Sequence, residues 1–390
     1  MVKLSLFSQV TSIIPRSLFS EIVARYKGNK FCKGVDSWTH LVSMLFCHLG
    51  QANSVRDISN GLRSITSNIV HLGCRKAPSK SSVSYMNEHR TSKIFEDFYY
   101  ALCGYLRQQT KFAKPALHQL RRKIYLLDAS IISLSLSLYD WAKFRTRKGA
   151  VKLHLLLDYE GCLPAFADLT NGKVADITAA KRMQLPTDSI LVFDMGYYDF
   201  AWWHKLDSMN IWFVTRAKDN MDYEIVEEFD ISSEKDQNVL HDCNIRLVGP
   251  SGQREYPKLL RMVRFWDETN QNELVFISNN RSWTATTVAQ IYKQRWSIEA
   301  FFKLIKQNLR IKSFVGTSEN AVRIQIWTAL IAILLLTFLK TKAKYQWHMS
   351  NLITFIRLNL FVKIDLWVWI NQPFVRPKKE YSTQLLLFDG

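Results

Sequence analysis

Residues 124–132 read IYLLDASII: an apolar run, an aspartate, two small residues and a return to isoleucine. So short an apolar run, with isoleucine at both ends, predicts a strand buried on both faces. Asp128 is the residue in it that such burial penalises, and a carboxylate there needs a partner or a task. The pattern returns at 189–197, SILVFDMGY, where ILVF leads into Asp194. With VKLHLLLD (151–158), PAFADLT (164–170) and IWFVTRAK (211–218), five strands are expected. The first three follow one another closely, whereas VADITAAKRM (174–183) and YDFAWWHKLDSM (198–209) offer helices before the fourth and fifth. That order predicts an α/β fold, a mixed sheet covered by helices. Carboxylates at strand ends in such sheets face a crevice and often ligate metals, although a single one is as readily a satisfied structural residue.

Working outward, residues 1–115 hold SLFSEIVARY, DSWTHLVSMLFCHL, SVRDISNGL and SKIFEDFYYALCGYLRQQ, all with helical apolar spacing. They predict an all-helical N-terminal domain. Its connecting stretch GCRKAPSKSSVS (73–84) is basic and reads as a loop or a DNA-contacting turn. A domain over 116–345 follows, with a β-rich insertion at 219–283 read from NIRLVG, KLLRMVRFW and ELVFISNN. A long helix is expected over 284–307 and a helical tail over 346–390. The run IWTALIAILLLTFL (326–339) is too short to cross a bilayer, which takes about 20 residues, and reads as a core helix capped from Thr317, Ser318 or Asn320.

The 52 Lys+Arg against 34 Asp+Glu give +18, which points to a polyanionic partner and away from a small-metabolite enzyme. The six cysteines are scattered, without C-x-x-C spacing, so neither a disulfide framework nor a zinc site is expected. MVKLSLFSQVTSIIPRS does not read as a secretory signal, and a cytoplasmic, nucleoid-associated protein with no membrane contact is the expectation.

The segment YKQRWSIEAFFKLIK (292–306) places Tyr292, Arg295, Glu299, Lys303 and Lys306 at steps of three, four, four and three, one face of a helix. Alone, this could be a solvated face with a Glu299–Lys303 pair. Beside Asp128 and Asp194, Glu299 completes an all-oxygen set for two divalent ions, the arrangement used for phosphodiester cleavage and transfer. Arg145, Arg147 and Lys148, just past the first strand, with Arg295, Lys303 and Lys306, are candidates to hold a DNA backbone.

Tyr292, Arg295, Glu299 and Lys306 fit Y-x2-R-x3-E-x6-K, Asp194–Tyr197 fit D-x-G-Y, and Asp128 lies in LLDAS. In these motifs the chain resembles the DDE transposases of the insertion-sequence 4 (IS4) family, from about residue 124 to residue 340. The resemblance implies a ribonuclease-H-like core, an end-binding helical N-terminus, and metal binding by Asp128, Asp194 and Glu299. It implies two Mg2+ ions, for which Mn2+ would substitute, with Tyr292, Arg295 and Lys306 contacting DNA. The implied reaction is cut-and-paste transposition through nicking, hairpin formation and strand transfer at terminal inverted repeats, by a homodimer on double-stranded DNA. Some relatives steady a flipped base with a tryptophan of the insertion, for which Trp266 and Trp283 are candidates and equally candidates for the core. Three rival readings are a ribonuclease-H-fold nuclease that never joins strands, a transposase-derived DNA-binding protein without catalysis, and a small-phosphoester hydrolase.

Overall fold

The computed structural model describes residues 4–375 apart from 33, 113–116, 118–119, 136–138, 140, 142, 146–147 and 233–237, and without the side chains of 66–68, 143–145 and 148. Residues 124–134 form strand β1 (Ile124–Leu134), whose first four side chains are buried. Successive residues feed opposite faces: Ile124 and Leu126 enter one apolar core, Tyr125 and Leu127 the other. The unbroken apolar run is the consequence of burial on both sides.

Beyond β1 lie β2 (Lys143–Arg145), β3 (Lys148–Asp158) and β4 (Leu163–Asn171), with β3 antiparallel to β1 and to β4. On the other side, β5 (Ile190–Val192) runs parallel to β1, and β6 (Trp212–Arg216) parallel to β5. The order β4-β3-β1-β5-β6 is a ribonuclease-H-like core, a three-strand meander followed by two parallel strands. α7 (Asp176–Ala180) leads from β4 into β5, and α8 (Phe200–Ser208) crosses from β5 to β6.

Strands β7 (Tyr223–Glu228), β8 (Val239–Leu247), β9 (Leu260–Asp267) and β10 (Asn272–Ser278) occupy the expected β-rich insertion. They do not form a separate sheet. β10 pairs antiparallel with β6, and β9, β8 and β7 follow, so a ten-stranded sheet runs through the molecule. The helix α9 (Pro250–Glu255) packs on α8 and β8.

Residues 6–109 carry α1 (Leu6–Ser12), α2 (Arg16–Arg25), α3 (Ser37–Leu49), α4 (Val55–Arg63), α5 (Lys80–His89) and α6 (Lys93–Gln109). Every residue of α3 is buried. The expected long helix at 284–307 is two helices, α10 (Ala285–Lys293) and α11 (Trp296–Asn308). Then come α12 (Glu319–Lys342), α13 (Met349–Leu358) and α14 (Leu366–Asn371).

α12 is the apolar segment. Ser318 caps it by accepting from the Ala321 N–H, and 89% of its most apolar window is buried within the protein. It packs against α3, α5 and α6 on one side and β4 on another. Polar ties reinforce the contact: His48 Nε2 meets Thr328 Oγ1 at 3.0 Å, and Asn320 Nδ2 donates to the carbonyls of Asn87 and Arg90. Helices of both ends of the chain therefore share one core.

Candidate active site

The parallel pairing of β1 with β5 sets Ile124 beside Ile190 and Leu126 beside Val192. Carried two residues further, that register brings Asp128 and Asp194 alongside each other where the strands part. Both continue the alternation of Leu126 and Val192, which belong to the core that also contains Ile298 and Phe302 of α11. Asp194 caps a short 3-10 turn, its Oδ1 accepting from the Gly196 N–H at 2.8 Å. A Cβ on residue 196 would come within 2.9 Å of that oxygen, so the glycine permits the close approach.

Glu299 arrives from α11, which packs on β1. Between α10 and α11 the backbone tightens: the N–H groups of Gln294, Arg295, Ser297 and Ile298 each reach the carbonyl three residues earlier. This breaks the single face expected from Tyr292 onward. The reason is anchoring on both sides of the break, since Tyr292 is buried with its ring 4.8 Å from that of Phe276 on β10, while Ile298 is fixed in the core beside β1. Tyr292 thus supports Arg295 from below, and Arg295 begins the helix that carries Glu299, Lys303 and Lys306.

Arg295 is the hub. Its guanidinium donates to Glu299 Oε1 at 2.6 Å and lies 3.8 Å from Asp128 Oδ2, with its side chain only 13% exposed. Lys306 Nζ donates to the Ile131 carbonyl at 2.9 Å, tying α11 to β1 just past Asp128, whereas Lys303 is exposed. Arg147 lies outside the described residues, as do the side chains of Arg145 and Lys148.

Asp128 is the strained member. Burial pushes its carboxyl up to about 7; the charges of Asp194 and Glu299 push the same way, against the Ala129 N–H and Arg295. Among the described residues no three acids, histidines or cysteines stand close enough to form a ready cation cage. The donor chemistry nonetheless fits a hard divalent cation, because all three groups are carboxylates and their mutual charge raises Asp128.

The raised value has a thermodynamic sign. The folded protein holds a proton that the unfolded chain releases above its ordinary value near 3.8. Stability from this group is therefore present in acid and lost as pH rises through about 7. Metal-free protein should melt at a lower temperature at pH 8 than at pH 6, and Asp128→Asn should flatten that difference. Calorimetric melting of both proteins checks this, and equal pH dependence in the two would refute it.

Two residues beside the acids and Arg295 have no role assigned by the sequence reading. Tyr197, the last residue of D-x-G-Y, has a buried hydroxyl with no partner among the described residues, and burial followed by Asp128, Asp176 and Asp194 drives its pKa well upward. Its motif was the available signal. Trp296 is 58% exposed in the first turn of α11, with Arg295 5.8 Å from its ring. Helical periodicity gave no reason to mark it. Of the two tryptophans of the insertion, Trp283 packs edge-on against Trp212 at 5.2 Å, and Trp266 is half-buried on β9.

Against known proteins, residues 119–335 match the family described as the transposase DDE domain, and residues 2–75 match a domain of unknown function, DUF4372. A Sinorhizobium fredii protein described as a transposase is 30% identical over 262 residues, 67% of this chain and 71% of that protein. A Synechocystis protein described as a transposase for the insertion sequence element IS4SA is 22% identical over 302 residues, covering 76% and 82%. The cryo-EM structure of the piggyBac transposase synaptic complex with hairpin DNA aligns over 96% of this chain and 81% of that one, at 10% identity and a TM-score of 0.40, too distant a match to bear on the site. The motifs of α11 and of the strand ends thus sit inside a matched segment that spans more than half the chain, and the chain belongs to the transposase DDE domain family.

Proposed function

We propose that this protein cuts and joins DNA at the terminal inverted repeats of an insertion sequence, with Asp128, Asp194 and Glu299 as its metal ligands. The observation that carries the reading is that Asp128 and Glu299 share one arginine, while burial, with the charges of Asp194 and Glu299, pushes the Asp128 carboxyl up to about 7. Bound divalent cations, two Mg2+ or Mn2+ in their place, would supply positive charge to the attacking and leaving oxygens of a phosphodiester.

The protein's own groups divide the remaining work. The rigid ends of β1 and β5 would fix Asp128 and Asp194, and α11 would supply Glu299 from the other side of the metal ions. Arg295 balances the acids before substrate arrives and is positioned to turn its fork toward a phosphate afterwards. Lys303 and Lys306 extend that positive face along the DNA, and the exposed Trp296 indole offers an unstacked base a resting surface. Hydrolysis would break one phosphodiester, leaving a 3′-hydroxyl; that hydroxyl would then attack a second phosphodiester, on the opposite strand or in target DNA, and expel its 3′ oxygen. A homodimer bridging two ends would make both cuts in one assembly.

The test is a labelled duplex bearing the element's end, supplied intact and pre-cleaved, with Mg2+, Mn2+ or EDTA. Joined product from pre-cleaved ends, dependent on metal, supports the proposal. Cutting without joining would make the protein a nuclease, and turnover of a small phosphoester insensitive to salt would point away from DNA.

A further inference from the structure

Far along the chain from the acidic centre, a groove of about 390 Å³ lies between α2 and the start of α3. Its volume is within the range of small-ligand sites, about 300–1,000 Å³. Phe19 and Trp38 belong to its wall, and Arg16, Lys27 and Lys30 contribute three cations. Asp36 is the acid in that lining, and its Oδ1 is engaged with the Thr39 N–H at 2.8 Å as the cap of α3.

Among the described residues Arg16 forms no ion pair. Its guanidinium lies 4.5 Å from the centre of the Trp38 ring and donates to the Gly73 carbonyl at 3.3 Å. Trp38 is itself fixed, donating from Nε1 to the Leu72 carbonyl at 2.7 Å. Gly73 has φ of +71°, which favours glycine, and its Cα lies against the Arg16 guanidinium. Lys27 and Lys30 sit on a tight turn in which the Lys30 N–H reaches the Lys27 carbonyl at 2.9 Å. Arg75 and Lys76, two and three residues after Gly73, are exposed.

We propose that this groove is a phosphate-binding site for a nucleotide unit, with Arg16 as the fork held by Trp38 and Gly73, and Lys27 and Lys30, the latter over the Phe31 ring, as the further charges. A planar guanidinium with free N–H donors matches the tetrahedral oxygens of phosphate, two further cations exceed what a single carboxylate ligand needs, and the apolar wall suits a sugar or base. The phosphate belongs either to a DNA backbone or to a free nucleotide. The proposal rests on the reading that the chain handles DNA, but not on its catalytic residues.

The test is run on full-length protein in EDTA. Lysine acetylation read by mass spectrometry, alone, with dAMP and with a duplex of unrelated sequence, should show Lys27 and Lys30 protected by ligand. Protection by the duplex alone assigns the site to backbone; protection by dAMP as well assigns it to free nucleotide. The double variant K27Q/K30Q should bind duplex about tenfold more weakly near 0.1 M salt, with a salt slope shallower by about two. K111Q/K205Q, with the same change in net charge, should lose less than about twofold. Unprotected lysines with both ligands, or equal losses in the two double variants, would overturn the proposal. Glu299→Gln should give the wild-type footprint, so a footprint that persists while wild type fails to cut would sink the catalytic reading and leave this one standing.

Discussion

Glu299→Gln should bind DNA as tightly as wild type while its cutting and joining fall by a factor on the order of 10³–10⁴, the scale on which removal of an essential active-site group acts. The substitution keeps the shape of the side chain and its Oε1, so the hydrogen bond from Arg295 survives and α11 has no reason to move. What disappears is one negative charge, and with it the attraction for a divalent cation. Removing that charge also relieves Asp128, whose carboxyl Glu299 pushes upward. The variant should therefore be no less stable than wild type, which separates lost chemistry from lost fold. Equal cutting by both proteins would remove Glu299 from the mechanism.

Trp327→Ala should destabilise the whole chain by about 3–5 kcal/mol. Trp327 is 2% exposed in α12, and its ring lies 5.9 Å from that of Tyr99 and 5.6 Å from that of Tyr100 on α6. Because α12 also touches β4, the loss is felt on both sides of the helix. Circular dichroism and tryptophan fluorescence should report one common, lowered transition in denaturant. Two separated transitions, with only the helical signal shifted, would show that the N-terminal helices and the sheet unfold independently.

The strands that carry the acids were legible because burial on both faces leaves an unmistakable trace: apolar residues without alternation, broken by a charge. Asp128 and Asp194 announce themselves that way, and Glu299 through its spacing to Arg295 and Lys306. The break between α10 and α11 was not legible. No proline or glycine marks it, and the cause is tertiary, the fixing of Tyr292 on Phe276 and of Ile298 in the core. Neither was the partnership of Arg295 with Asp128, since helical spacing names neighbours on the same helix and says nothing of the strand beneath. The union of residues 219–283 with the central sheet was hidden for a related reason. Alternation identifies strands but not their partners, and the β6–β10 pairing joins segments about 60 residues apart.

That pairing changes how the protein can be cut down or rebuilt. A segment connected at two points to a surface loop is a module, open to trimming or exchange. Residues 219–283 are not one, because β10 covers the outer edge of β6 and gives Tyr292 its footing through Phe276. Excision would leave the row of N–H and C=O groups on β6 bare beside Phe213 and Val214, a template for sheet-to-sheet aggregation. It would also unseat the helix pair that delivers Glu299. A minimal catalytic fragment of this chain must keep the far half of its sheet, and evolutionary changes of length should be tolerated in the turns between β7 and β10 rather than at the junction with β6.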